Sequence, residues 1–440
     1  MVPSIRNSTH ESTLRGGLLA VFSLATVLIA LGLATMVLRT GLASSFTTAN
    51  QGRYILRFDR DDGLLEDRLG QMYSDTNPAE GIRHFQRAIA LSPLNRHYHA
   101  DLASECESLG NTACADSEWE LLARLCPMVP VYQSHAAQAY LRSSHLDKAV
   151  FGFEHLLKLD PAYGPESWFA LRAVLDPDAI FTKTIPENAA PEVKLSYVVF
   201  LSNQGDNDSA FRIWQRVVDE NHPFPFSAAK PYLERLLDLA RIGEAESVWH
   251  DLQRLRIVAT PARADAADLI FNGDFEQLPT NAGFDWRWPD PNAYLAIDFA
   301  APGAYHGMHC VRIDFTVSRN EEYEPVTEFV RVFPNRSYRV EAYVRSEDIT
   351  SDSGPRLRVS DTQFGSFPDV VSETTVGTTT WHPLRLDFST GSQTQFIELS
   401  VWRPRGRLFP TEISGTFWMD QVSLKDIGPA ASENAAEGPQ

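Results

Sequence analysis

The sequence predicts a multidomain protein with three parts: an N-terminal transmembrane helix, an all-α superhelix and an all-β sandwich. Three observations support this fold class. An uncharged apolar run lies near the N-terminus, a helical pattern repeats at a fixed interval in the middle, and short alternating segments fill the C-terminal part. Apolar residues recur about every 3.6 residues in a helix and every two in a strand, so each pattern indicates a different element type.

These patterns divide the 440 residues into consecutive segments. They are a cytoplasmic N-terminal segment (1–16), a transmembrane anchor (17–38), a linker (39–59), helical repeats (60–255), a second linker (256–267), a β sandwich (268–427) and a disordered tail (428–440). The tail is small, polar and acidic, and such a composition buries too little apolar surface to fold.

The protein is acidic overall. Asp and Glu number 57 against 39 Lys and Arg, for a net charge of −18. Phosphate backbones are bound through basic side chains, and no basic stripe offsets this balance. We therefore expect no nucleic-acid partner.

The membrane prediction depends on residues Gly17 to Leu38, which contain no charged residue and no proline. At about 1.5 Å rise per residue, this run spans a hydrocarbon layer of roughly 30 Å. Residues 41–44 resemble a signal-peptide cleavage site, but signal peptides have shorter apolar regions, so an uncleaved single-pass anchor is favoured. Arg6 and Arg15 precede the run, which predicts a cytoplasmic N-terminus and a periplasmic or extracellular bulk.

The repeat pattern is a constant spacing between residues of the same type. Four types of position share one interval: prolines (Pro93, Pro127, Pro161), aromatics (Phe85, Trp119, Phe153), small residues (Gly81, Ala115, Ala149) and small or apolar residues (Ala88, Leu122, Leu156). Trp214 and Trp249 mark two further units, and 161–191 is a degenerate stretch that includes a helix around Trp168. We count five clear units, or six when the degenerate stretch is included.

This spacing resembles the tetratricopeptide repeat, a helix–turn–helix unit of about 34 residues. Small residues allow the two helices to approach, and proline ends the second helix because it lacks a backbone donor. The resemblance implies a superhelical groove that binds a protein or peptide partner. The repeated residues themselves are packing positions.

Two of the four cysteines flank a Gly-Asn corner within the repeats. Cys106 and Cys114 either form a disulfide across this corner or are two small buried thiols. A disulfide requires an oxidising compartment. No Cys/His spacing typical of zinc occurs.

The C-terminal part is predicted to be a sandwich from its short alternating segments. The predicted strands are Val311–Val317, Tyr338–Val344, Arg356–Val359, Leu384–Phe388, Phe396–Val401 and Trp418–Leu424.

The two ends of this region resemble carbohydrate-binding modules of the galactose-binding-like jelly-roll class. Residues 269–276 (LIFNGDFE) are similar to their first strand and residues 415–424 (GTFWMDQVSL) to their last. The resemblance implies a structural calcium ion held by Glu276 and Asp420. The alternative is that both carboxylates bind loop backbone, since calcium requires six to eight oxygen ligands.

The same resemblance implies saccharide contacts by exposed aromatic and polar side chains. The candidates are Trp286, Trp288, Tyr294, Trp402 and Arg403. For each of them the alternative is a packing role, and Trp381 and Trp418 are expected in the core. Many proteins of this fold bind no sugar.

No catalytic residue is predicted, because the sequence contains none of the common nucleophile, phosphate or metalloprotease motifs. The acidic run 321–324 is expected to be a solvated loop rather than a carboxylate pair across a cleft. The sequence therefore favours a membrane-anchored, envelope-facing scaffold that binds a protein and a glycan, in a setting such as polysaccharide export. The alternatives are a protein-only scaffold with a structural sandwich, and a carbohydrate-active enzyme with an unrecognised site.

Overall fold

The fold was analysed in a computed structural model of the 440-residue chain. It describes residues 24–38, 41, 45–57, 60–261, 265, 267–290, 294–316, 320–361, 365, 367–409 and 411–430. The described residues form two compact units, with the boundary between Ala189 and Ala190.

The predicted transmembrane segment is only partly described. Residues 24–38 are helical, whereas residues 17–23 lie outside the described part of the chain. Within the described residues, none of the helices is both long enough and apolar enough to cross a membrane.

The first unit consists of antiparallel helices. They are α1 (Ala49–Ile55), α2 (Gly63–Ser74), α3 (Pro78–Leu91), α4 (Arg96–Ser108), α5 (Thr112–Leu125), α6 (Pro130–Arg142), α7 (Leu146–Leu159), α8 (Gly164–Leu171) and α9 (Pro177–Thr184), with a 3₁₀ turn at Pro161–Tyr163. Helix α1 lies within the segment predicted to be a linker. The short pair α8 and α9 occupies the degenerate stretch.

The helix starts reproduce the sequence period. Helices α3, α5 and α7 begin at positions 78, 112 and 146, at equal intervals along the chain. Each of them ends just before one of the three repeated prolines. The repeated aromatics Phe85, Trp119 and Phe153 are at most 4% exposed, as the packing interpretation requires. The predicted repeat fold is therefore confirmed.

Local side-chain chemistry sets the helix starts and the distance between helices. Asp62 accepts from the amides of Leu64 and Leu65 at the start of α2. These bonds satisfy amides that have no partner within the helix. Gly81 brings α2 and α3 together, because a Cβ there would lie 3.0 Å from the carbonyl oxygen of Gly70.

The second unit combines four helices with the sandwich. The helices are α10 (Pro191–Asn203), α11 (Asn207–Asp219), α12 (Phe226–Asp238) and α13 (Ile242–Arg254). The strands are β1 (Leu295–Ala301), β2 (Cys310–Phe315), β3 (Tyr323–Arg331), β4 (Arg336–Ile349), β5 (Arg356–Ser360), β6 (Val370–Val371), β7 (Gly377–Ser389), β8 (Phe396–Arg403) and β9 (Gly415–Pro429).

The strands form two antiparallel sheets. A five-stranded sheet has the order β1-β2-β9-β4-β7, and a four-stranded sheet has the order β3-β8-β5-β6. Alternate residues of both sheets meet in a single apolar core, for example Ile313 of β2, Val340 of β4 and Leu399 of β8. All six predicted strands are present, whereas β1, β3 and β6 were not predicted.

The opening segment 269–276, which resembles a first strand, is irregular in the structure and lies beside β9. The amide of Leu269 donates to the carbonyl of Leu424 (3.0 Å), and the amide of Val422 donates to the carbonyl of Gly273 (2.8 Å). Strand β9 extends to Pro429, into the predicted tail, and residues 431–440 lie outside the described residues.

Helices α12 and α13 pack on the sandwich rather than ending at a linker. The Trp249 ring lies edge-on to Phe271 (centroids 5.1 Å apart) and Phe284 (6.1 Å). Arg287 makes two bonds to the carboxylate of Glu234, of 2.7 and 3.0 Å. The compact unit therefore begins at Ala190, well before the linker predicted at 256–267.

Candidate binding surfaces

The outer face of the four-stranded sheet carries a row of polar side chains around one tryptophan. Strand β8 buries Ile397, Leu399 and Val401 in the core, so the alternate residues Glu398, Ser400 and Trp402 point to the opposite face. On the neighbouring strand β5, Arg356 is paired with Trp402, Arg358 with Ser400 and Ser360 with Glu398. We call this surface the Trp402 face.

Trp402 is half-buried and flanked by positive charge. The guanidinium carbons of Arg358 and Arg356 lie 5.0 and 5.9 Å from its ring centroid, within the range of a cation–π interaction. Its indole nitrogen donates to Glu322 at 2.5 Å. These contacts fix the ring orientation while part of the ring stays open to solvent.

The arginine charge on this face is balanced by carboxylates. Arg358 is bonded to Glu324 and lies 3.6 Å from Glu322 and 3.7 Å from Asp369. Its side chain is only 16% exposed. Compensation of this kind lets a charged group stay in a partly desolvated position.

Several polar atoms of the Trp402 face lack a partner in the protein. Among the described residues, the hydroxyls of Ser360 and Ser400 and the Nε atoms of Arg356 and Arg358 are buried and make no hydrogen bond. Most buried polar atoms in proteins are hydrogen-bonded, so such a group indicates that water or a ligand supplies the missing partners.

Glu398 lies in the same row. Burial raises the pKa of its carboxyl, the nearby Glu324 raises it further, and Arg358 and Arg287 act in the opposite direction. Glu398 therefore keeps a proton to higher pH than a solvated glutamate, and in that form it donates as well as accepts hydrogen bonds.

Two of the residues predicted as saccharide contacts, Trp286 and Arg403, lie in the core, as in the packing alternative. Trp286 is fully buried, packs on Phe275 (centroids 5.3 Å apart) and donates to the carbonyl of Asn272 at 3.0 Å. Arg403 is also fully buried, and its guanidinium binds the carbonyls of Ser353, Glu321 and Thr411. Arg403 thus holds loops together beneath the Trp402 face.

The other predicted contacts do not gather into one site. Trp288 is half-buried and packs on Phe299 at 4.6 Å between centroids. Tyr294 is half-buried just before β1. Neither belongs to a strand of the four-stranded sheet, so Trp402 is the one residue of the five candidates on the outer face of that sheet.

Sequence reasoning missed most of the Trp402 face. Glu324, in the run expected to be a solvated loop, lies in β3 and pairs with Arg358. Arg356 and Arg358 alternate with Leu357 and Val359, a signal that marks the outward positions of β5. The pairing of β5 with β8 joins two distant parts of the chain and is not visible in either segment alone.

The carboxylates of Glu276 and Asp420, the predicted calcium ligands, bind backbone amides of a loop. Asp420 accepts from the amide of His306 (3.0 Å) and from that of Gln421 (2.7 Å). Glu276 accepts from the amides of Met308 and His309. Burial raises the pKa of Asp420 to about 6, and the neighbouring Glu276 contributes to this shift.

These amide contacts match the alternative in which Glu276 and Asp420 bind loop backbone better than they match a calcium site. Amide hydrogens point at the carboxylates, whereas a cation needs oxygen ligands around it. The described residues contain no group of three acidic, His or Cys side chains placed to hold a metal ion. Calcium binding by Glu276 and Asp420 stays a prediction.

Cys106 and Cys114 are joined by a disulfide, with their Cα atoms 5.8 Å apart. The bond links α4 to α5 across the turn at Gly110, where φ is +70°. Of the two alternatives left by the sequence, the structure contains the disulfide.

The first unit has an open groove of about 390 Å³ between α5, α6 and α7. Ala136, Ala137 and Gly152 line it with small side chains, and Phe151 on its rim is 70% exposed. Lys148 covers one face of Tyr140, 5.2 Å from the ring centroid. The small floor residues leave the groove open between the three helices.

No protein-family model matches the chain, and no curated protein matches it. Among solved structures, the helical part is similar to MamA (13% identity, TM-score 0.26, 39% of this chain and 85% of that chain). It is also similar to the first TPR of Spaghetti (RPAP3) bound to an HSP90 peptide (22% identity, TM-score 0.23, 26% and 92%). The sandwich is similar to the CBM22-1 xylan-binding domain of Paenibacillus barcinonensis Xyn10C (17% identity, TM-score 0.27, 38% and 100%).

These likenesses are too distant to assign a function. The helix periodicity and the sheet topology of the chain itself define its class. It combines tetratricopeptide-like helical repeats with a sandwich of two antiparallel β sheets.

Proposed function

We propose that the sandwich binds a saccharide on the Trp402 face. One observation carries this proposal: the partly exposed Trp402 ring adjoins two exposed carboxylates, Glu322 and Asp369, whose side chains are each 54% exposed. An aromatic face stacks on the apolar face of a pyranose ring, and the carboxylates accept hydrogen bonds from its hydroxyls.

Replacement of Trp402 tests the proposal. We expect Trp402→Ala in the full-length protein to weaken glycan binding at least tenfold, about 1.4 kcal/mol, because the stacking surface is lost. The measurement is isothermal titration against oligosaccharides selected on a glycan array. Phe333→Ala is a matched control, because Phe333 is an aromatic of the same sandwich that is 59% exposed and lies outside the Trp402 face. Equal affinity of a folded Trp402→Ala protein and the wild type would exclude this face.

We further propose that the repeats bind a protein partner, so that the chain acts as a scaffold between protein and glycan. The open groove between α5, α6 and α7, with the exposed Phe151, supports this part. A protein-only scaffold is the alternative, and a wild-type protein that binds no glycan would favour it.

The proposed setting is the outer side of a membrane, with the N-terminus cytoplasmic and the bulk of the chain periplasmic or extracellular. The uncharged run 17–38 and the Cys106–Cys114 disulfide support this part, since disulfides persist in oxidising compartments. Polysaccharide export or assembly is the process we propose.

Glycoside hydrolysis is a second candidate, favoured by one specific observation. Glu398 has a raised pKa, and the nearby Glu324 contributes to that shift, as expected for a general acid near a second carboxylate. Glu324 is held by Arg358, which favours binding over catalysis. Release of reducing ends from a bound glycan, abolished in Glu398→Gln, would instead establish an enzyme.

A further inference from the structure

A second group of aromatic side chains lies on the outer face of the five-stranded sheet, opposite the Trp402 face. Tyr343 projects from β4 and Trp381 from β7, and Tyr305 comes from the loop of residues 302–309 between β1 and β2. The Tyr305 and Tyr343 rings are stacked, with centroids 3.8 Å apart and planes 10° from parallel. Tyr305 lies 6.0 Å from Trp381 and is 46% exposed. We call this group the Tyr305 platform.

The Tyr305 loop is held rigidly by backbone contacts. Asp420 binds the amides of Tyr305 and His306, and Glu276 binds the two amides that follow Gly307. Gly307 has φ +83° and lies so close to the Glu276 carboxylate that a Cβ there would clash. A ring that is already fixed loses little conformational freedom when a ligand stacks on it.

A polar groove of about 460 Å³ begins at the platform. Tyr343 belongs to both features, and His306, the residue after Tyr305, lines the groove. The other polar residues that line the groove are Asp265, Asp268, Asp274, Glu341, Gln421, Ser423 and Lys425. Stacking surface and hydrogen-bonding groups therefore adjoin, which is the combination that a saccharide requires.

The charge of the groove selects among saccharides. Its four carboxylates face one lysine, and Lys425 is already paired with Asp265 at 2.9 Å. Glu341 is paired with Arg385. Asp268 and Asp274 leave the groove with excess negative charge, and Arg345 lies over Trp381 at the platform (5.8 Å) rather than in the groove. The groove therefore repels uronic acids and other anionic sugars and suits an uncharged chain.

We propose that the Tyr305 platform and its groove form a second saccharide-binding site, selective for neutral polysaccharide. Tyr305 and Trp381 stack on pyranose rings, and the groove binds their hydroxyls. The proposal rests on the sandwich being a saccharide-binding domain, but it uses none of the residues of the Trp402 face. Two sites on opposite sheets make the domain bivalent, and bivalency raises the apparent affinity for long chains.

The test compares four forms of the full-length protein: wild type, Tyr305→Ala, Trp402→Ala and the double variant. Binding is measured by affinity electrophoresis in gels that contain dextran, xylan, a soluble β-glucan or galactomannan, with alginate as the anionic probe. We expect each single variant to lose at least tenfold in affinity for a neutral polymer and the double variant to lose all binding. Alginate should not retard the wild type.

Two further variants distinguish the effect of removing the Tyr305 ring from the effect of displacing its loop. Tyr305→Phe keeps the stacking surface and should bind like the wild type. Gly307→Ala displaces the loop from Glu276 and should lose the same fraction of binding as Tyr305→Ala, with the Trp402 face intact.

The outcomes distinguish the two proposals. If Tyr305→Ala and Gly307→Ala bind like the wild type while Trp402→Ala loses binding, the second site is excluded and the first stands. If only the Tyr305 variants lose binding, the second site stands and the first is excluded. If the folded wild type binds none of the neutral polymers, both are excluded. If alginate is bound through Tyr305, the neutral selectivity is wrong.

Discussion

At the residue scale, tryptophans that look alike in the sequence have different roles. Trp286 and Trp288 flank Arg287, yet Trp286 is fully buried and Trp288 packs on Phe299. Trp402 is only partly buried, on the face that β8 turns away from the core. The difference comes from the strand register, which decides the face to which a side chain points.

Asp420 links stability to pH. Its pKa is raised to about 6, above the ordinary value of 3.8, so the folded protein binds this proton more tightly than the unfolded chain. Its contribution to stability is therefore greatest below pH 4 and is lost as the pH rises toward 6. The wild type should therefore lose its stability advantage over Asp420→Asn as the pH rises. We expect the difference between their melting temperatures to decrease by roughly 2–5 °C from pH 4 to pH 7.

Thermal melting of the two proteins across this pH range measures the effect. A constant difference between the melting temperatures of the two proteins would show that Asp420 does not titrate as described.

Thermal melts of the wild type and Asp420→Asn with calcium and with a chelator test the calcium prediction. Stabilisation of the wild type by calcium, absent in Asp420→Asn, would establish a calcium site in place of the loop anchor.

At the element scale, the helical hairpins are the elements that the sequence predicts most directly. Each repeat buries its aromatic against the adjoining helices, as Trp119 does beside Tyr132 (centroids 6.1 Å apart). The contacts within a hairpin join residues close in sequence, so the repeat period alone predicts them.

The Cys106–Cys114 disulfide is a testable feature of one hairpin. Its two cysteines are separated by 8 in the sequence, and closing so short a loop stabilises the fold by about 2–3 kcal/mol through the unfolded chain. We expect the double variant Cys106→Ser/Cys114→Ser to lose stability in this range in urea unfolding under non-reducing conditions. Reduction of the wild type should produce the same loss, and no loss in either case would show that the thiols are unpaired in solution.

At the scale of the whole molecule, the boundary of the folding unit differs from the sequence prediction. Arg287 binds Glu234 of α12, lies over the Phe329 ring (4.7 Å) and pairs through its backbone with Thr327 of β3. The amide of Gly283 also donates to Glu234 at 2.9 Å. The last two helices therefore support the edge of the sheet that carries the Trp402 face.

This packing predicts the behaviour of fragments. We expect residues 190–430 to unfold in one cooperative transition at a higher temperature than residues 265–430, because the shorter fragment exposes Phe271 and Phe284 and loses the Arg287–Glu234 pair. Differential scanning calorimetry of both fragments is the measurement. Equal melting temperatures would show that the sandwich is independent of α12 and α13.

The sequence by itself determined the elements with a local period. The helical repeats and the six predicted strands follow from patterns within short segments. The tertiary structure alone decided which aromatics are exposed, how Arg358 and Glu324 meet beside Trp402, and how Tyr305 stacks on Tyr343. It also placed α12 and α13 with the sandwich. These features join residues far apart in the chain, through sheet pairing and side-chain packing that no local pattern encodes.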